Sequence, residues 1–173
     1  KPHHRGAVIL SLDESGQEVR LAADYSRDQN LSLCFVGAKD QLRDIHSMVA
    51  CKIAGVEYEE FVRMRKSPDP EVAQRADRIR HTAKICVFAS FYGAMAPKIA
   101  ESLGIAESEA QGYIDAIYSE FPGLASWKSE VETFATAHGY VDIKGGGRRH
   151  LRDSILGDDK WVAQKALRQA SNA

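Results

Sequence analysis

Apolar and polar positions along the chain follow two rhythms. Residues 7–12 form an apolar run, Asp13 to Gly16 carry turn chemistry, and residues 19–23 form a second apolar run. That pattern predicts a β-hairpin with Asp24 at the end of its second strand. From Asp40 the rhythm turns helical, with Ile45, Met48, Val49 and Ile53 at helical spacing, until Lys66-Ser-Pro-Asp-Pro70 breaks the chain. Residues 71–92 contain neither Gly nor Pro, which allows one long helix. Residues 96–103 predict a helix stopped by Gly104, residues 108–118 an amphipathic helix, Phe121-Pro122-Gly123 a turn, and residues 124–138 a helix closed by Gly139. Residues 140–143 and 148–151 read as short strands around Gly145-Gly146-Gly147, and a last helix begins near Asp158 or Asp159.

Composition narrows the class. With 173 residues, 44% hydrophobic, 27% charged and a net charge of -1, the chain fits a soluble globular domain or part of one. No apolar run approaches the roughly 20 residues that span a bilayer, and no signal-peptide order opens the chain, so a cytoplasmic protein without membrane partners is expected. Cys34, Cys51 and Cys86 form no C-x-x-C pair and are expected as buried small hydrophobes. Charge is uneven: residues 63–84 hold Arg63, Arg65, Lys66, Arg75, Arg78, Arg80 and Lys84, whereas residues 101–120 hold acids and no Lys or Arg. The first tract could attract phosphate; two solvated helix faces of opposite sign would look the same.

The chemistry concentrates in Arg80-His-Thr-Ala-Lys84-Ile-Cys-Val-Phe88-Ala-Ser-Phe-Tyr92-Gly93. Residues four apart on a helix advance about 400° and about 6 Å, so Arg80, Lys84, Phe88 and Tyr92 form one slowly drifting stripe about 18 Å long. Two cations followed by two rings suit an elongated ligand with phosphates at one end and a flat base at the other, as in a nucleoside triphosphate. A core helix with buried rings and solvated cations is the alternative the pattern leaves open.

The stripe resembles motif B, R-x-x-x-K-x-x-x-F-x-x-x-Y-G, of family A DNA polymerases at all five marked positions. Other elements follow in family order. Ala23-Asp24-Tyr25-Ser26 is similar to the start of motif A, and Asp44-Ile45-His46 to the family's D-I-H. Phe121-Pro122-Gly123, Gly139-Tyr140-Val141 and Gly147-Arg148-Arg149 are similar to its Y/F-P-G, G-Y-V and G-R-R elements, and Arg168 with Asn172-Ala173 to the start of R-x-x-x-N-A-P-x-Q-G.

The resemblance implies an α/β (α+β) fold: a palm segment with antiparallel strands and motif A over residues 1–39, a mainly helical fingers subdomain over 40–138, and a return to the palm over 139–173. It implies template-directed DNA synthesis, as in replication, by nucleotidyl transfer from a dNTP to a primer 3'-hydroxyl with two Mg2+ ions. Asp24 would be the catalytic metal ligand, with the Tyr25 carbonyl adding an oxygen. His46, Arg80 and Lys84 would contact the triphosphate and Phe88 the sugar or base. Tyr92 would stack near the template base, with Gly93 letting the chain turn. Arg148, Arg149, Arg168 and Asn172 would face primer-template DNA through phosphate and minor-groove contacts.

Two departures stand out. The family's motif A reads D-Y-S-x-x-E-L-R; counted from Asp24, Gln29 replaces the glutamate that excludes the ribose 2'-hydroxyl, or Asn30 does if one residue is inserted. A third alignment matches Ser26-Arg-Asp28 to a later S-R-D and deletes the motif's remainder. The chain also stops before P-x-Q-G and before the H-D-E motif, so a C-terminal palm segment, on the same chain or a second one, is expected to complete the site. The chain by itself is expected to bind nucleotide without efficient turnover. A phage-type polymerase in the host cytoplasm or half of a split polymerase is the natural setting, with a non-catalytic nucleic-acid-binding fragment as the alternative.

Overall fold

A computed structural model describes Val8, residues 16–143, 145–168 and 170–172, apart from the side chains of Trp161, Arg168 and Asn172. Apart from Val8 and Gly16, which caps α1, the expected first strand and the turn after it lie outside the described residues. The rest is mainly helical: α1 (Gln17–Ser26), α2 (Gln29–Ser32), α3 (Ile45–Ala54), α4 (Tyr58–Arg65), α5 (Pro70–Phe91), α6 (Ala96–Leu103), α7 (Glu107–Glu120) and α8 (Pro122–His138) precede a hairpin of β1 (Tyr140–Ile143) and β2 (Gly147–His150). The chain continues as α9 (Arg152–Leu156), α10 (Lys160–Arg168) and a 3-10 turn, Ala170–Asn172.

Helix α5 organises the body. Asp69 caps its start by accepting from the Glu71 N–H at 2.9 Å, and Pro70 occupies the first turn, where its missing N–H costs nothing. Ala76, Ala83, Cys86, Val87, Ser90 and Phe91 are buried along one face. That face packs against α3, α4 and α7, and α3 also packs on α4 and α7. Phe61 and Phe121 are fully buried in this core, each contributing about 1.5–3 kcal/mol relative to an exposed ring. All three cysteines are free and buried, as expected for small hydrophobes, and burial pushes the Cys34 thiol up to about 12 and that of Cys86 to about 11.

A smaller core of Ala135, Val141, Leu151 and Ala170 lies under the hairpin. The strands pair antiparallel with Val141 opposite Arg149 and Asp142 opposite Arg148, and the turn uses Gly145 and Gly146 at φ 107° and 97°, which side chains resist.

The segment around Asp24 departs from expectation. Residues 19–23 are helical, and Asp24 lies in the last turn of α1 instead of at a strand end. Val19, Ala22 and Ala23 are the buried residues, which is i, i+3, i+4 spacing; an apolar run this short fits a strand or a helix equally well. Asp28, expected in no role of its own, is buried at 3% exposure. It accepts from the Leu31 N–H at 2.9 Å, capping α2, and from the Gly123 and Leu124 N–H groups at 2.7 and 3.3 Å, capping α8 as well. A Cβ on Gly123 would meet Asp28 Oδ2 at 2.9 Å, which explains the glycine of Phe121-Pro122-Gly123. Among the described residues, no helix is long and apolar enough to cross a membrane.

Candidate functional site

The outward face of α5 carries the expected stripe. Arg80 and Phe88 are half-buried, Lys84 is exposed and Tyr92, at the helix end, is 50% exposed, so this face is open to a ligand while the opposite one forms the core. Gly93 follows at φ 74°, and its N–H and that of Ala94 turn back to the carbonyls of Ser90 and Ala89 at 3.1 and 2.9 Å. This left-handed turn ends the helix where Tyr92 leaves it.

Helix α3 brings a second wall to the cationic end. Asp44 caps α3, accepting from the Ser47 N–H at 3.0 Å, and also takes a two-pronged bond from Arg80: Nε donates to Oδ2 at 2.7 Å and Nη2 to Oδ1 at 2.9 Å. Burial works to raise the Asp44 carboxyl, but the Arg80 and Ser47 bonds and the Arg80 charge outweigh it and hold the group at about 2. The guanidinium has five N–H groups; Asp44 takes two and fixes the plane, which leaves the others aimed. His46 lies in the same cluster, its ring 5.7 Å from that of Phe88 and its buried Nδ1 without a hydrogen-bond partner. Burial lowers its pKa, Asp44 opposes this, and Arg80 and Lys84 add to the lowering, which favours the neutral imidazole. It can therefore donate to an anion only through a ring N–H.

At the other end of the stripe the Tyr92 hydroxyl donates to Glu18 Oε1 at 3.0 Å, which raises the hydroxyl's pKa. A cavity of about 200 Å³ beside this pair is lined by residues including Leu21, Tyr25, Phe91, Trp127 and Lys128. Tyr25 stacks on Trp127 at 5.5 Å and 14°, which joins α1 to α8. Glu18 has a signal in the sequence that counting from Asp24 hides: Asp13-Glu-Ser-Gly-Gln-Glu18-Val-Arg20 has Asp, Ser, Glu and Arg at the spacing of D-Y-S-x-x-E-L-R. Six residues at about 100° each put Asp24 about 120° round α1 from Glu18. Asn30 donates from Nδ2 to the Glu120 carbonyl at 2.8 Å, and Gln29 is exposed at the start of α2.

Arg148 and Arg149 lie on β2 and not on α5. Arg148 donates from Nε to Asp142 Oδ1 at 2.9 Å and lies 3.7 Å over the Tyr140 ring, while Arg149 is half-buried on β2. The side chains of Arg168 and Asn172 lie outside the described residues. Among the described residues, no group of three or more His, Cys, Asp or Glu gathers as a metal would require, and Asp24 lies on an exposed helix face.

Comparison with known proteins agrees with the family resemblance. The profile of DNA polymerase family A matches residues 1–173. DNA polymerase I of Streptococcus pneumoniae serotype 4 is 32% identical over 152 residues, covering 88% of this chain and 15% of the relative. That of Chloroflexus aurantiacus is 32% identical over 168 residues, 97% of this chain and 16% of the relative. The thermostable enzyme of Thermus aquaticus is 30% identical over 167 residues, 96% of this chain and 18% of the relative. The chain thus spans 15–18% of the length of these curated relatives. Its fold is similar to the POL domain of Pol1 from M. smegmatis, solved in complex with DNA primer-template and dNTP, at a TM-score of 0.71 and 28% identity over 93% of this chain and 25% of that one. A fold of helices with one small antiparallel sheet, a motif B stripe open along α5 and a profile match over the whole sequence lead to one conclusion: this chain belongs to DNA polymerase family A.

Proposed function

We propose that this chain forms the nucleotide-binding part of a template-directed DNA polymerase. Arg80, Lys84 and His46 bind the triphosphate, Phe88 lies against the sugar or base, and Tyr92 is placed near the template base. The observation that carries this reading is the open stripe on α5 with Asp44 orienting Arg80 at one end and Glu18 holding Tyr92 at the other. Arg148, Arg149, Arg168 and Asn172 are assigned to primer-template DNA. The division into a palm segment over 1–39, fingers over 40–138 and a return to the palm over 139–173 belongs to the same proposal.

The Glu18 to Tyr92 bond favours a motif A register that begins at Asp13. In that register Glu18, and neither Gln29 nor Asn30, guards the sugar, and Asp13 replaces Asp24 as the carboxylate offered to Mg2+. Mg2+ would activate the primer hydroxyl and offset charge on the leaving pyrophosphate. No H-D-E element occurs within residues 1–173, so a second carboxylate from another segment, on the same chain or a second one, belongs to the proposal.

Nucleotide titration tests the reading. Lys84→Ala should weaken dNTP binding by about 10- to 100-fold, the loss of one charged hydrogen bond. Glu18→Gln should narrow the preference for dNTP over rNTP, and Gln29→Ala should not. Equal dNTP affinity before and after Lys84→Ala overturns the stripe; a sugar preference that follows Gln29 overturns the register. With the completing segment supplied, primer extension should survive Asp24→Ala and be lost in Asp13→Ala.

A further inference from the structure

Among the described residues, Asp28 and Lys128 are buried charges outside the motif B stripe, and Lys128 has no capping role to explain it. Lys128, on α8, is 9% exposed, and its Nζ donates to the carbonyl of Ser90 at 2.8 Å and lies 3.4 Å from that of Phe91. These are the last carbonyls of α5, where the negative end of the helix dipole collects and a cation is favoured. They belong to the turn that sends Tyr92 outward, since the Gly93 N–H also donates to the Ser90 carbonyl at 3.1 Å. The same α8 stacks Trp127 on Tyr25 of α1, the helix that carries Glu18. Two helices, α8 and α1, therefore converge on the end of α5, and Lys128 bonds directly to its backbone.

We propose that Lys128 is a positioning residue for nucleotide binding: its ammonium, clamped on the final carbonyls of α5, fixes the turn that presents Tyr92, and loss of the charge loosens that turn and weakens nucleotide binding. This inference rests on the nucleotide-binding reading above. Stability alone does not account for the lysine, because a buried ammonium without a carboxylate bonded to it costs desolvation that an apolar side chain of similar volume would avoid. Desolvation lowers its pKa to about 8, against an opposing pull from Glu132. The titratable groups facing the two cavities it lines are Glu18 and Tyr25 from α1, Tyr92 at the α5 end, Tyr118 from α7 and Glu132 from α8. Tyr92 and Tyr118 are raised above the usual phenol range, Tyr92 by its bond to Glu18 and Tyr118 by burial, so neither ionises where Lys128 does.

Two measurements on the whole chain test this. Amide hydrogen exchange without nucleotide should show residues 92–95 exchanging several-fold faster in Lys128→Met than in wild type or Lys128→Arg. Titration with Mg2+ and dATP should show wild-type affinity falling several-fold from pH 7 to pH 9. Lys128→Met should be weak at both pH values, and Lys128→Arg tight at both. Unchanged exchange together with wild-type affinity and pH profile in Lys128→Met overturns the assignment. If wild type binds no dATP, the nucleotide-binding reading fails, and the exchange measurement still decides whether Lys128 holds the turn. Should Lys128→Met fail to fold, a wild-type affinity that does not change with pH, or a Lys128→Arg affinity that falls as wild type's does, overturns it.

Discussion

The helical body and the hairpin end both carry arginines assigned to phosphate, yet they hold them differently. In the body, Arg80 is fixed by a two-pronged bond to an aspartate that also caps α3, on a helix whose other face is fully packed. On the hairpin, Arg148 rests on an exposed pair with Asp142 and on the Tyr140 ring, above a core whose buried residues are Ala135, Val141, Leu151 and Ala170. A triphosphate of one fixed shape rewards cations oriented in advance, whereas a duplex backbone tolerates ones that adjust. The difference in packing matches the difference between the two proposed tasks.

The largest effect should come from emptying the body's core. Phe121→Ala should cost about 3–5 kcal/mol in urea unfolding, as for a fully buried ring, and Val141→Ala should cost less. Equal losses would mean that the hairpin core is no weaker than the body. Next, Asp28→Ala removes a buried carboxylate that caps two helices, and about 1–3 kcal/mol should be lost, more than Asp159→Ala, which takes away one exposed cap of α10.

A smaller effect separates the two arginines by pH. Asp44 is depressed to about 2 in the folded chain from its ordinary value of 3.8, so its contribution is present above about pH 4 and lost as pH falls through about 2. Wild type should therefore lose more stability than Asp44→Asn in acid between those limits. Parallel curves would show that Asp44 does not hold Arg80. Smallest of all, Arg148→Ala should leave the unfolding midpoint unchanged and lower the salt dependence of DNA binding by about one released counterion. A clear loss of stability would place Arg148 with the body's cations.

Much of this was legible in the sequence where one helical period ran long. The tract 71–92, free of Gly and Pro, allows one long helix, and α5 is Pro70–Phe91, started by Asp69-Pro70 and stopped before Gly93. The hairpin strands and the helix from 96 to 103 were equally readable. Residues 19–23 were not: five residues are too few to separate a period of 2 from one of 3.6, and Asp24-Tyr25-Ser26 resembles the start of motif A closely enough to hide the match from Asp13 to Arg20. The roles of Asp28, Asp44 and Lys128 were out of reach, since each depends on a partner distant in sequence: 95 residues for Asp28, 36 for Asp44 and 38 for Lys128.

The bond from Gly123 to Asp28 brings together two points of the chain 95 residues apart at 2.7 Å. Everything from α2 to α7 is thus a closed excursion that leaves and returns at one place. Closing so long a loop carries a large entropy penalty that local helix formation does not share, so this contact belongs to the late stages of folding. Damage at Asp28 should then hasten unfolding while leaving the folding rate almost unchanged.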